Sequence, residues 1–240
     1  MKAAVNQIIA ENLETKLRIK APYNYNTGQT LEDFVQFSTA ITSTNEVYAL
    51  IPKVPMGVDD FQRIGNQIQP ISLTVKVNCA LGSAASGQIY ADFYFCTAKG
   101  VKDVKLTNQV PTGNFLNDGD GTNVPYDGTR FTSMLPVNAS QFTLLKHKRI
   151  LLRKGGFDPN TLYSGGGSPT DMVQQNTSSF SVKIDLPKTL TYQLNAEETP
   201  TNAFPFMMIG FTATDYFGQT ALSSLPLYVQ AQSHLYYKDA

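Results

Sequence analysis

The chain has 240 residues, of which 42% are hydrophobic and 16% charged, so it holds enough apolar side chains for a sizeable core. Its 19 Lys and Arg residues equal its 19 Asp and Glu residues, which gives a formal net charge of +0 at pH 7. This balance excludes a strongly basic nucleic-acid-binding arm within the chain.

The N-terminal residues predict a short amphipathic helix. Val5, Ile8, Ile9, Leu13 and Leu17 lie mostly three or four residues apart, which places them on one apolar stripe of about four helical turns. The apolar residues are not gathered into a signal-peptide core, so we expect no secretion and a reducing compartment. We assign residues 1–30 to an N-terminal helix and arm, and residues 31–240 to the main domain.

The main domain has an almost entirely β pattern. In one segment Leu73, Val75 and Val77 share one face of a strand and Thr74 and Lys76 share the other, which is typical of a half-buried strand in an antiparallel sheet. Eight segments predict strands. They are residues 34–41, 68–81, 88–97, 141–153, 180–186, 190–194, 204–214 and 225–238.

Eight strands without alternating helices predict an all-β fold, a single antiparallel sandwich, and the eight-stranded form of that architecture is the jelly roll. An immunoglobulin-like sandwich is the alternative, but it usually has shorter loops and a buried Trp, and this chain has no Trp. Residues 99–140 and 155–179 form long irregular segments. Loops of this length are usually functional or covered by a partner.

Four motifs stand out in chain order. Residues 57–68 read GVDDFQRIGNQI and lead into ISLTVKV, residues 142–150 read FTLLKHKRI, residues 182–188 read VKIDLPK, and residues 233–240 read SHLYYKDA. As an ordered set they resemble the capsid proteins of small circular single-stranded DNA viruses that encode a replication initiator protein, the group that includes circoviruses and geminiviruses. Arg63 and Gly65 match the core of that family's loop, whereas His147 stands where the family often has an Asp.

The resemblance implies a jelly-roll subunit that self-assembles into an icosahedral shell around single-stranded DNA. The simplest such shell has T=1 symmetry and about sixty copies. It also implies location in the virion, and in the host cell nucleus during assembly. We expect no enzyme and no cofactor, since the only histidines are His147 and His234 and no HExxH, GxSxG or P-loop motif is present.

Basic residues are the candidates for contacts with DNA phosphates. They are Lys2, Lys16, Arg18, Lys20, Lys146, Lys148 and Arg149. Strand alternation places Lys146 and Lys148 on one face and His147 and Arg149 on the other. Because related capsids usually carry a basic N-terminal arm and this chain is neutral, we expect either a basic segment that this sequence lacks or shells largely empty of nucleic acid.

A second set of residues is expected to brace loops or contact neighbouring subunits. The set is Arg63, Gly65, Phe115, Tyr126, Phe131, Phe157 and Tyr163. Arg63 has a planar fork that can tie carbonyl groups together within its loop or reach a neighbour, and Gly65 suits a positive φ. We expect the aromatic residues of this set to be exposed on loops, where they would contact other copies.

Other chemistry has weaker support in the sequence. Residues 117–123 read NDGDGTN, but the loop departs from a calcium-binding pattern because Thr129 stands where that pattern has Glu, so we interpret it as a solvated turn without a metal. Cys79 and Cys96 are expected to face different ways as free thiols.

Two other functions remain open. A coat protein of a small RNA virus would share the fold. A non-viral β-sandwich module could bind carbohydrate or another ligand in a pocket, as a monomer or a small oligomer.

Overall fold

A computed structural model describes residues 14–20, 35–37, 47–81, 88–129, 131–153, 177–193, 196–213 and 227–239. Within these ranges the chain forms 12 strands, all paired in antiparallel fashion. They are β1 Lys16–Lys20, β2 Val35–Phe37, β3 Tyr48–Ala49, β4 Gln67–Leu81, β5 Gln88–Ala98, β6 Leu116–Asn117, β7 Asn123–Val124, β8 Phe142–Arg153, β9 Thr177–Ile184, β10 Leu190–Thr191, β11 Pro205–Ala213 and β12 Leu227–Asp239. The predicted all-β fold class is confirmed.

The strands form two main sheets. In the first, β12 lies between β4 and the pair β1 and β2, and the far side of β4 pairs with β9 and β10. The second sheet has the order β3-β11-β5-β8, and β6 and β7 form a separate small hairpin. Short 3-10 turns occupy Val104–Gln109, Thr112–Asn114 and Thr132–Met134. None of the described helical segments is long and apolar enough to cross a membrane.

The main core lies between the inner faces of the two sheets. The alternation predicted for β4 is confirmed, because Leu73, Val75 and Val77 are fully buried while Lys76 is exposed and Thr74 is only partly covered. From the second sheet, the inner cluster receives several large side chains that are almost fully buried, among them Phe93, Phe95 and Ile209.

A second apolar cluster lies on the outer face of the second sheet. There Tyr94 and Met208 from neighbouring strands pack against Phe115 and Tyr126, which belong to the segment at residues 99–140. This segment therefore acts as a third layer over the sheet rather than as a projecting loop. Strand β5 is buried on both faces as a result.

Some predicted elements need correction. Leu17 was expected at the end of an N-terminal helix but lies in β1, and the rest of that predicted helix lies outside the described residues. Strands β1 and β3 were not predicted. In the described parts of the predicted strands at residues 34–41 and 190–194, the strands formed are the short β2 and β10.

Both cysteines are buried free thiols, as predicted. Cys79 lies in the inner cluster and Cys96 in the outer cluster, so the second sheet separates the two thiols. Burial is the main reason that the pKa of Cys79 is raised to about 11.

Candidate functional site

Strand β8 carries the densest basic cluster, and the side chains on its two faces have different surroundings. Lys146 and Lys148 are exposed and lie opposite Phe95 and Phe93 of β5. The register places Arg149 opposite Asp92 on the other face. The predicted alternation is therefore confirmed for these residues. The two lysines remain accessible, whereas Arg149 is used within the chain.

Asp92 is a completely buried carboxylate that organises this outer face. Arg149 binds it through two hydrogen bonds, from Nε to Oδ1 at 2.7 Å and from Nη2 to Oδ2 at 3.0 Å. His147 Nε2 lies 2.8 Å from Asp92 Oδ1, and the His147 ring stacks on Tyr94 with 4.5 Å between centroids. A buried charge of this kind is tolerated because it is paired and hydrogen-bonded.

The same network ties the covering segment to the sheet. Tyr126 donates a hydrogen bond to Asp92 Oδ2 at 3.2 Å, and its hydroxyl lies 2.8 Å from Thr212 Oγ1. Arg149 also donates to the carbonyl oxygen of Ser133. Burial raises the pKa of Asp92, but hydrogen bonds with His147 and Arg149 outweigh it, so that pKa lies below its usual range. This network has a structural role, because it joins strands of the second sheet to the covering segment. Arg149 is bound within the network and is not free to bind a phosphate.

Two aromatic residues predicted to contact neighbouring subunits lie inside the chain instead. Phe115 and Tyr126 are both fully buried in the outer cluster, so the expectation that they are exposed is wrong. They cover apolar side chains of β5 and β11 that would otherwise face water. Phe131 is 62% exposed and remains a candidate contact. Phe157 and Tyr163 lie outside the described residues.

Arg63 is also fully buried, and its contacts brace the loops around it. Its Nη2 donates to the carbonyl oxygen of Glu197 at 2.7 Å, its Nη1 donates to the carbonyl oxygen of Gly65, and its guanidinium lies 4.3 Å from the ring centroid of Tyr192. Lys105 binds Glu197 at 2.5 Å, which extends the contact to the covering segment. The sequence left two roles open for Arg63, bracing of its own loop and contact with a neighbouring subunit. These contacts are those of bracing.

Gly65 plays a different part from the one expected. Among the described glycines, positive φ angles occur at Gly119, Gly121 and Gly128 and not at Gly65. The expectation of a positive φ at Gly65 is therefore wrong. Its contribution is the carbonyl group that accepts from Arg63.

The N-terminal basic residues of β1 bind backbone carbonyl groups at the edge of the sandwich. Lys16 donates to Gln62 at 2.8 Å, Arg18 to Lys53 at 2.8 Å and Lys20 to Ala49 at 2.5 Å. Their side chains join β1 to the segment that carries β3.

The two lysines of this set, Lys16 and Lys20, are partly or almost fully buried. Lys16 is only 7% exposed and forms a 2.8 Å ion pair with Asp239, which corrects its predicted role as a DNA contact. Burial, followed by the charge of Lys53, lowers the pKa of Lys20 to about 8. Lys2 lies outside the described residues.

The loop at residues 117–123 uses its oxygen atoms for its own backbone. Asp118 Oδ1 accepts from the amides of Asp120 and Thr122, at 3.1 and 3.2 Å, and Asn117 Oδ1 accepts from Gly119 at 2.9 Å. These are the contacts of a polar turn. Within the described ranges, no three His, Cys, Asp or Glu residues are grouped so that they could hold a metal ion.

One end of the sandwich carries an apolar surface that the sequence analysis missed. The large exposed apolar residues of the loop at 56–64 and of the adjoining ends of β1, β4 and β12 make up this apolar end. They are Met56, Val58, Phe61, Ile64, Leu17, Ile19, Ile71 and Tyr236. Val58 is 92% exposed and Ile64 62%. Large apolar side chains exposed on neighbouring segments are typical of an interaction surface.

The elements of the apolar end are held together by polar contacts. The Arg18 guanidinium lies 5.2 Å from the Phe61 ring centroid, and the Ile64 amide donates to Asp239 Oδ1 at 3.2 Å. Leu17 lies opposite Tyr236 in the sheet. The run GVDDFQRIG was visible in the sequence, but its exposed apolar residues have no regular spacing that distinguishes them from core residues.

A surface pocket of ≈ 330 Å³ lies where β5 and β8 meet the segments before β11 and after β9. Its lining includes Val101, Phe204, Lys102 and Asp185. Phe204 is almost fully buried, so little aromatic surface is left for stacking on a sugar ring.

No protein-family model matches the chain, and no curated protein matches it.

Proposed function

We propose that this chain is the coat protein of a small single-stranded DNA virus, and that its copies assemble into a closed icosahedral shell around that DNA. The protein acts by assembly rather than by catalysis, and it needs no cofactor. A T=1 shell of about sixty copies is the simplest closed arrangement. The virion is its working location.

The observation that carries this proposal is the path of the chain between the sheets. Taken in chain order, β1, β3, β4, β5, β8, β9, β11 and β12 alternate between the first and second sheets, except at the step from β5 to β8. The last strand, β12, lies between β1 and β4.

This wrapped path supports a jelly roll within the all-β class. Eight strands divided between two four-stranded sheets are typical of that fold, which is frequent among viral capsid domains. Strands β2 and β10 extend the edges of the first sheet beside β1 and β9, so they do not alter the order of the eight. Fold alone does not define function. The proposal therefore also rests on the motif resemblance and on the apolar end.

The apolar end supplies a surface suited to contact between copies. Its residues are exposed in the single chain, and isolated soluble domains rarely leave so many large apolar side chains together in water. Burying Val58 and Ile64 against another copy would remove apolar area from water, which is the main favourable term in protein association.

A single substitution tests this role. We expect Ile64→Glu to abolish particles in light scattering while leaving the melting temperature unchanged, because Ile64 is 62% exposed and a carboxylate there would be desolvated on assembly. Leu144→Glu is the matched control, since Leu144 is 43% exposed on β8, away from the apolar end. Equal assembly by both variants would contradict the role of the apolar end.

A further inference from the structure

The two sheets differ in what covers their outer faces. The outer face of the second sheet is covered by the segment at residues 99–140. On the first sheet, the outward residues at the middle of β4, β9 and β12 are exposed or partly exposed. They are Ser72, Thr74, Lys76, Asn78, Ser179, Ser181, Lys183, Gln230, Gln232, His234 and Tyr236. We call this surface the open face.

Two lysines and a histidine lie close together on the open face. Thr74 lies directly opposite His234 on one neighbouring strand and opposite Lys183 on the other. Lys76 is the next outward residue along β4 and lies opposite Ser181 and Gln232. Directly opposed residues have Cβ atoms about 5 Å apart and diagonal ones about 7 to 8 Å, so these side chains surround one small area.

The charge of this area is of one sign. None of the outward residues named for the open face is Asp or Glu. Neither Lys76 nor Lys183 forms an ion pair with a carboxylate in the described part of the chain. Their ammonium groups are therefore available to an anion, and the surrounding Ser, Thr, Asn and Gln side chains can donate further hydrogen bonds.

His234 lies at the centre of this arrangement. Its Nε2 is buried and has no hydrogen-bond partner among the described residues. Burial and then the nearby charge of Lys76 lower its pKa, which is consistent with the closeness of the two side chains. The described strands of the sheet therefore do not engage this ring nitrogen.

An aromatic ring completes the surface. Tyr236 is 38% exposed and lies two residues beyond His234 on the same face, opposite Ser72. Surfaces that hold single-stranded nucleic acid combine cationic groups along the backbone with aromatic rings on which bases stack. The open face has both on neighbouring strands of one sheet.

We propose that the open face binds single-stranded DNA, with Lys76 and Lys183 on the phosphates and Tyr236 against a base. This inference rests on the proposed function and adds the surface that faces the genome. It also replaces two of the contacts predicted from the sequence, since Lys16 and Arg149 form ion pairs within the chain. Only a few phosphates are neutralised per subunit, in keeping with the neutral chain.

Fluorescence anisotropy with a labelled oligothymidine tests the proposal. It is measured at protein concentrations below those at which light scattering detects particles, so that binding and assembly are separated. The double variant Lys76→Ala/Lys183→Ala should weaken binding at least about tenfold. It should also reduce the slope of log affinity against log salt by about 1.4, which corresponds to two phosphate contacts on a single strand.

Lys146→Ala/Lys148→Ala is the matched control, because it removes the same charge from exposed positions on β8. We expect its affinity to stay within about twofold of wild type. Tyr236→Leu should weaken binding by about fivefold or more without changing the salt slope, since stacking is not a charge contact. No binding by wild type, or an equal or larger loss in the β8 control, would overturn the proposal.

The two proposals can fail separately. Binding through the open face by a protein that never forms particles would contradict the coat-protein function and leave this surface standing. Closed particles formed by a protein whose subunits do not bind the oligonucleotide would contradict DNA binding by the open face and leave the coat-protein function standing.

Discussion

At the scale of single residues, Asp92 explains how β8, an edge strand of the second sheet, accommodates four consecutive ionisable side chains. Residues 146–149 of β8 read KHKR, and two of the four side chains, His147 and Arg149, turn toward the buried carboxylate. The other two, Lys146 and Lys148, stay in water. The sequence shows the alternation but not the partner, because Asp92 lies 55 residues from His147.

We expect Asp92→Asn to lower the free energy of unfolding at pH 7 by about 3 kcal/mol, because breaking a buried ion pair leaves Arg149 and His147 without their carboxylate. Urea unfolding of the two proteins measures the difference. Lys148→Gln is the control on the same strand and should stay within about 0.5 kcal/mol of wild type.

The pH dependence provides a second measure of the same change. The pKa of Asp92 is lowered in the folded state, so its contribution to stability is complete above the ordinary Asp pKa and is lost as pH falls through the folded-state pKa. The gap between wild type and Asp92→Asn should therefore narrow below about pH 4. A gap that is constant from pH 3 to pH 7, or that is absent at pH 7, would show that the ion pair contributes little.

At the scale of elements, β1 shows where reading a pattern fails. Lys16, Arg18 and Lys20 point toward the sandwich, whereas Leu17 and Ile19 are exposed, which reverses the usual arrangement of a surface strand. The inward charges are satisfied by carbonyl groups of residues 49–62. Nothing in the spacing KLRIK indicates those partners, so the apolar Leu17 was assigned to a helix stripe.

The six long strands could be predicted because the alternation of apolar and polar residues along a strand indicates which face is buried. In β4, for example, Leu73, Val75 and Val77 occupy one face, and the packing follows from the pattern. The covering segment at residues 99–140 has no such period. A signal was present in β5 nevertheless, since Tyr94, Cys96 and Ala98 make its second face apolar as well, which indicates that another layer covers it.

The packing of this covering segment depends on Gly210 of β11. A Cβ atom added there would lie 2.4 Å from Cε1 of Tyr126, far inside van der Waals contact with a rigid ring. We expect Gly210→Ala to displace Tyr126 and destabilise the protein by about 1 to 3 kcal/mol, as overpacking usually does. Thermal unfolding monitored by near-ultraviolet circular dichroism would detect both the lost stability and the changed tyrosine environment.

Gly113→Ala is the matched control, because a Cβ there meets no atom within 4 Å and its φ is not positive. It should melt like wild type. If Gly210→Ala also melted like wild type, then Tyr126 would not be held firmly over β11, and the description of the segment as a third layer would be contradicted.

At the scale of the whole molecule, the sandwich has three distinct surfaces. One outer face is closed by its own chain, the opposite outer face is open and carries Lys76 and Lys183, and one end is apolar. A subunit of a shell needs both a surface for other copies and a surface for its contents. Under the proposed function, the apolar end would meet the first need and the open face the second, and the two surfaces adjoin at Tyr236.

Electron microscopy of the purified wild-type protein tests the central claim most directly. If the chain is a coat protein, images should show closed particles of uniform diameter, formed by this chain alone. A protein that stays monomeric or dimeric at high concentration, in low salt and in high salt, would contradict the assembly on which the whole account depends.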